Sequence, residues 1–85
     1  MASYRVLIKR SAAKELEGLE LKDRERVVER IRGLAGDPRP QGCEKLSGRD
    51  RYRIRHGVLR ILYEIADREL TVTIVKIGHR RDVYR

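Results

Sequence analysis

The sequence contains no tryptophan and no phenylalanine, one cysteine and two prolines in 85 residues. A basic helix lying on a membrane surface sets such large rings opposite its charges, and this chain has none to set there. The single thiol, Cys43, excludes an intramolecular disulfide framework, so packing alone must hold the fold. Cys43 and two distant histidines also lack the spacing of a zinc site, and no metal or other cofactor is expected. Arg60 and Glu64 interrupt the most apolar stretch, residues 58–66, so no run of about 18 apolar residues exists and a transmembrane helix is excluded. The opening residues Met1-Ala2-Ser3-Tyr4-Arg5 hold no apolar segment, and no secretory signal is expected. A glycine-rich phosphate loop and a Ser-His-Asp arrangement are likewise missing.

Acids are scarce as well. Asp and Glu number 13 against 21 Lys and Arg, a formal charge of +8, and 16 of the bases are arginine. A surplus of this size points to a polyanionic partner, nucleic acid before membrane. Residues 49–60 concentrate it, with five arginines against one acid, Asp50. The plainer alternative is a solvated basic face. Hydrophobic residues make up 40% of the chain, enough for a thin core, and the length suits a single domain over residues 1–85. The expectation is a small, basic, cytoplasmic domain.

Periodicity supplies the elements. Residues 4–9 read as a strand. Ser11 is the expected N-cap of a short helix whose Ala12, Leu16 and Leu19 share one face. After a joint at 21–23, Val27, Val28, Ile31, Leu34 and Ala35 mark a second helix, which Gly36 ends before Pro38 and Pro40. Residues 38–50 read as a loop. Strict alternation over 51–56, a turn at Gly57, an apolar run at 58–66, a turn at 67–69 and the β-branched run 70–77 predict three further strands. Gly78 is expected to break the last one and leave 79–85 as a polar tail. The predicted order is β-α-α-β-β-β. This is a two-layer α+β fold with both helices on one face of a mostly antiparallel four-stranded sheet. Arginines on the other face would then line an exposed surface.

Arg51, Arg53 and Arg55 share one face of their strand, with Tyr52, Ile54 and His56 on the other. Arg60 lies just across the Gly57 turn, close enough for the guanidinium groups to gather. Such charges repel unless an anion or an acid sits among them, and a phosphodiester suits the arginine fork. Asp50 and Glu64 are the acids in range, Glu64 being a salt-bridge partner before it is a base. His56 reads as structural.

Several short motifs occur together at a specific spacing. They are Lys45-Leu46-Ser47-Gly48, Tyr52-Arg53-Ile54-Arg55, Gly57, Arg60, Leu62-Tyr63-Glu64 and Ile77-Gly78-His79-Arg80-Arg81-Asp82-Val83-Tyr84. The chain resembles, over nearly its whole length, the RelE toxins of the RelE/ParE superfamily of type II toxin–antitoxin systems. The resemblance implies a ribosome-dependent endoribonuclease that cuts mRNA in the ribosomal A site without a metal. In that reaction the 2′-hydroxyl attacks the adjacent phosphate, leaving a 2′,3′-cyclic phosphate and a 5′-hydroxyl. It implies Arg53, Arg60, Arg80 and Tyr84 as catalytic residues, and Lys45, Arg51, Arg55, His79 and Arg81 as RNA-binding ones. The implied partners are a RelB-like antitoxin, the ribosome with its RNA, and mRNA, with no membrane.

Members of that family commonly carry lysine where this chain has Arg53 and Arg55. A guanidinium does not lose its proton in a protein, so Arg53 clamps phosphate and does not act as the base. Tyr84 either stacks on a nucleobase or transfers a proton. His79 is a candidate base in the tail, and an exposed histidine beside a turn is its simpler reading. Three alternatives stay open: a ParE-like toxin acting on DNA gyrase without RNase activity, a catalytically silent module that binds RNA or antitoxin, and an RNase that cuts free RNA without the ribosome.

Overall fold

The structure is a computed structural model that describes residues 3–46 and 50–79. The alternation at 51–56 forms strand β3 (Arg51–His56), with Tyr52 and Ile54 buried and the three arginines on the opposite side. The apolar run becomes β4 (Leu59–Ala66), and the β-branched run becomes β5 (Thr71–His79). With β1 (Arg5–Ile8) and β2 (Glu44–Leu46) they make one five-stranded sheet in the order β1-β5-β4-β3-β2. β1 runs parallel to β5, and every other pairing is antiparallel. Helices α1 (Arg10–Glu17) and α2 (Leu21–Gly33) follow β1 in the chain. Neither is long and apolar enough to cross a membrane.

The α+β class and the element order agree with expectation; the strand count does not. Residues 44–46, expected within a loop, form the edge strand β2 and pair with Arg51–Arg53 of β3. A three-residue strand of Glu-Lys-Leu carries no β-branched signal, and only its neighbour specifies it. Four boundaries also move. Ser11 lies inside α1, whose cap position is Lys9 and has no side-chain cap bond. Residues 21–23 form the first turn of α2, which stops at Gly33. Gly78 stays within β5, where it pairs with Arg60.

The core lies between the helices and one sheet face. Ala12 of α1, with Val27 and Ile31 of α2 and Leu34 just beyond it, packs on Ile54, Ile61, Tyr63, Val72, Ile74 and Ile77. Alternation along β5 would turn Ile77 away from a core that already holds Val72 and Ile74. A bulge corrects this: Leu62 pairs with Lys76 while Tyr63 pairs with Ile74, so Val75 is the extra residue. β1 ends opposite Ile74, which leaves the outer N–H of Ile77 without a strand partner. The Glu15 carboxylate of α1 accepts that N–H at 3.1 Å and meets Lys76 Nζ at 3.4 Å. One side chain thus satisfies a backbone donor and docks α1 to the sheet.

Candidate nucleic-acid interface

On the face away from the helices, the register lays out three rows of side chains across the sheet. The first is Leu46, Arg51, Glu64 and Thr73; the second is Glu44, Arg53 and Leu62, whose β5 neighbour Lys76 is ion-paired to Glu15 of α1; the third is Arg55 and Arg60, with Gly78 in register beside them. Along the third row, beside the β3–β4 turn, two arginines meet directly. That turn is tight because Gly57, at φ 59°, adopts a backbone conformation L side chains avoid.

Arg55 and Arg60 are direct cross-strand partners, a like-charge pairing that destabilises a sheet unless it is offset. Two features offset it. Arg60 is buried and turns back on its own strand, its Nη1 donating to the Gly57 and Leu59 carbonyls at 3.2 Å each. Glu44 reaches across from β2, pairing with Arg53 Nη2 through one carboxylate oxygen and with Arg55 Nη2 at 3.1 Å through the other. Arg51 pairs with Glu64 at 3.4 Å, so Glu64 is a salt-bridge partner, as expected. Leu62, in the middle row, is buried but stands outside the core cluster. Arginines of graded exposure therefore line one face: Arg60 buried, Arg53 with 14% of its side chain exposed, and Arg55 with 53%.

Lys45 and His79 take the other parity. Lys45 pairs with Tyr52, and His79 pairs with Leu59, in the row of His56. Neither stands among the arginines. Asp50, the other acid expected in range, appears in none of the ion pairs found among the described residues. Arg80, Arg81 and Tyr84 lie outside the described residues; β5 runs up to them and ends at His79, beside the third row. Among the described residues no cluster of His, Cys, Asp and Glu forms a candidate metal site. Three grooves among the described residues border α2. One of about 350 Å³ is apolar and lies between β1 and α2, lined by Tyr4, Val6, Ile8, Val28, Ile31 and Ala35.

Sequence reasoning missed two features. Glu44 is one, because its role exists only once β2 is paired. The other is a clamp at the far end of β3. Arg39, between Pro38 and Pro40, donates to Asp67 at 2.9 and 3.2 Å and to the Tyr52 hydroxyl at 3.1 Å. Its guanidinium also lies 5.1 Å from the Tyr52 ring centroid. Tyr4 donates to the same Asp67 at 2.7 Å. Arg39, and then Tyr4, hold the Asp67 carboxyl below its ordinary range, while the bond to Asp67 raises the Tyr4 phenol. Tyr63 stacks on Tyr52 and donates to the Pro38 carbonyl at 2.8 Å. Burial, with Cys43 beside it, pushes the Tyr63 phenol well above its usual 10. These contacts pin the loop that leads into β2, and so place Glu44.

Comparison with known proteins decides the family. A model described as the ParE toxin of type II toxin–antitoxin systems matches residues 6–84. The chain belongs to that family. The RelE/ParE assignment expected from the motifs therefore holds. The fold is similar to the toxin–antitoxin complex RelBE2 from Mycobacterium tuberculosis, with a TM-score of 0.82 at 30% identity over 96% of this chain and 97% of that one. It is also similar to the archaeal RelE–RelB complex from Pyrococcus horikoshii, with a TM-score of 0.85 at 29% identity over 95% and 99% of the two chains. Among curated proteins, Toxin RelG from Mycobacterium tuberculosis is 44% identical over 34 residues. That stretch spans 40% of this chain and 39% of the relative. Chains of the RelE/ParE type thus share the fold across archaea and bacteria.

Proposed function

We propose that this type II toxin arrests translation by cutting mRNA in the ribosomal A site, and that a RelB-like antitoxin neutralises it. The observation that carries the proposal is the arginine face: Arg53, Arg55 and Arg60 on adjacent strands, at the end of the sheet where β5 reaches His79. The partnership draws its support from the relatives, whose structures were solved as toxin–antitoxin complexes.

In the proposed reaction the mRNA 2′-oxygen attacks the adjacent phosphorus and the bond to the 5′-oxygen breaks. The products are a 2′,3′-cyclic phosphate and a 5′-hydroxyl. The 2′-proton leaves to a base, and the departing 5′-oxygen takes one up. Negative charge grows on the phosphorane oxygens, and cations fixed beforehand lower that barrier. Arg60 is such a cation, being buried with its Nη1 held by two backbone carbonyls. In this scheme Arg53 clamps or orients the phosphate, Arg55 holds flanking RNA, Arg80 serves the leaving oxygen and Tyr84 stacks on a base or moves a proton. None of the arginines is the proton acceptor, since a guanidinium stays charged at any working pH. A weak intrinsic base is tolerable when the ribosome orients the scissile bond.

The name of the matching family favours a second reading, a ParE-like toxin that inhibits DNA gyrase. Induction in cells separates the two. The nuclease reading expects protein synthesis to stop while plasmid supercoiling is unchanged, and expects Arg60→Ala to relieve the arrest. Loss of supercoiling with continuing translation, undisturbed by Arg60→Ala, would establish the gyrase reading in its place.

A further inference from the structure

The acid that reaches Arg53 and Arg55 raises a question the nuclease reading leaves open: what occupies the phosphate site before RNA arrives. We propose that Glu44 is a resident anion which the RNA phosphate must displace, so that this residue sets the affinity of the Arg53–Arg55 site for phosphodiesters. The inference rests on the reading of the arginine face as an RNA-phosphate site.

Three observations support it. The Glu44 carboxylate presents its two oxygens to two guanidinium groups, one to Arg53 and one to Arg55, as a phosphate presents its non-bridging oxygens. A phosphate arriving on those same donors meets a like charge, so carboxylate and phosphate compete for the fork. The Glu44 side chain is 48% exposed and stands on a three-residue edge strand, where an ion pair is weak and readily exchanged. Arg53, more enclosed, stays in place when the carboxylate swings away.

Until that exchange, Glu44 relieves the mutual repulsion of Arg53 and Arg55. Its removal therefore has two consequences of opposite sign: the chain becomes less stable and its RNA binding becomes tighter. A residue whose role is merely structural would not move affinity in that direction.

The test is fluorescence anisotropy of the full chain with a short single-stranded 2′-O-methyl RNA, which lacks the attacking hydroxyl. Four proteins are compared: the unmodified chain, Glu44→Gln, Glu25→Gln and Arg53→Ala. Glu25 is exposed on α2, so its variant makes the same change in net charge away from the arginines. Glu44→Gln is expected to bind about three- to tenfold tighter than the unmodified chain, Glu25→Gln within about twofold of it, and Arg53→Ala more weakly. If Glu44→Gln binds no tighter while Arg53→Ala still weakens binding, the resident anion is refuted and the RNA face stands. If Arg53→Ala binds like the unmodified chain, the RNA face itself is refuted, and this inference falls with it.

Discussion

Tyr63→Phe deletes one oxygen and tests whether the loop into β2 is pinned as described. The ring is fully buried and stacks on Tyr52 at 5.9 Å between centroids, and phenylalanine keeps both features. What is lost is the 2.8 Å hydrogen bond to the Pro38 carbonyl, which leaves that acceptor without its donor. A deletion of this kind costs about 1–2 kcal/mol. For a domain of this size the midpoint of thermal unfolding should fall by about 4–16 °C. Tyr63→Ala, which also removes the ring, should cost about 3–5 kcal/mol. Melting followed by far-ultraviolet circular dichroism measures both.

The phenol adds a pH signature. Its pKa is raised in the folded chain, so its contribution is complete below the ordinary tyrosine value of 10.0 and is lost as pH climbs from there toward the folded value. The gap between the unmodified chain and Tyr63→Phe should narrow above about pH 10. An unchanged midpoint at neutral pH would refute the reasoning, because it would mean that the Pro38 carbonyl has no need of this donor.

Gly57→Ala should destabilise by about 1–2 kcal/mol in urea titrations. No atom lies within 4 Å of an added Cβ, so the whole cost comes from the φ of 59°. Arg60→Ala should lower the cleavage rate by about 10²–10³, and Arg60→Lys should recover part of it by restoring charge without the fork. Asp67→Asn should destabilise at neutral pH. Because Arg39 and Tyr4 lower the Asp67 pKa, that stability is present above the ordinary value of 3.8 and fades as pH falls through the lower folded value. The difference between the two proteins should therefore vanish only in strong acid, as read by melting against pH.

Much of the fold could be read from local pattern because the pattern recorded burial. Tyr52 and Ile54 alternate with arginines, and Val27, Ile31 and Leu34 recur at helical spacing, so both faces of the core were visible. Features specified by partners were not visible. β2 is three residues long and exists because β3 lies beside it. The bulge at Val75 shows in the sequence only as a break in alternation before Ile77. The candidate site divides the same way. That Arg51, Arg53 and Arg55 share a face follows from strand parity, and so does Glu64 as a partner. Glu44 reaches those arginines, and Arg39 reaches Asp67 across 28 positions of chain, through contacts that no local spacing encodes. The motifs place Lys45 and His79 with the arginines, and strand parity sets them apart.

The proposed reaction asks Arg60, Arg80 and Tyr84 to act together on mRNA. The most direct measurement is cleavage of mRNA programmed into purified ribosomes with an empty A site. It compares this protein with Arg60→Ala, Arg80→Ala and Tyr84→Ala, and includes a naked-mRNA control. The expected result is cuts at the A-site codon that need the ribosome, end in a 2′,3′-cyclic phosphate and collapse in all three variants. Intact mRNA with and without ribosomes, from a protein that still arrests growth, would contradict it.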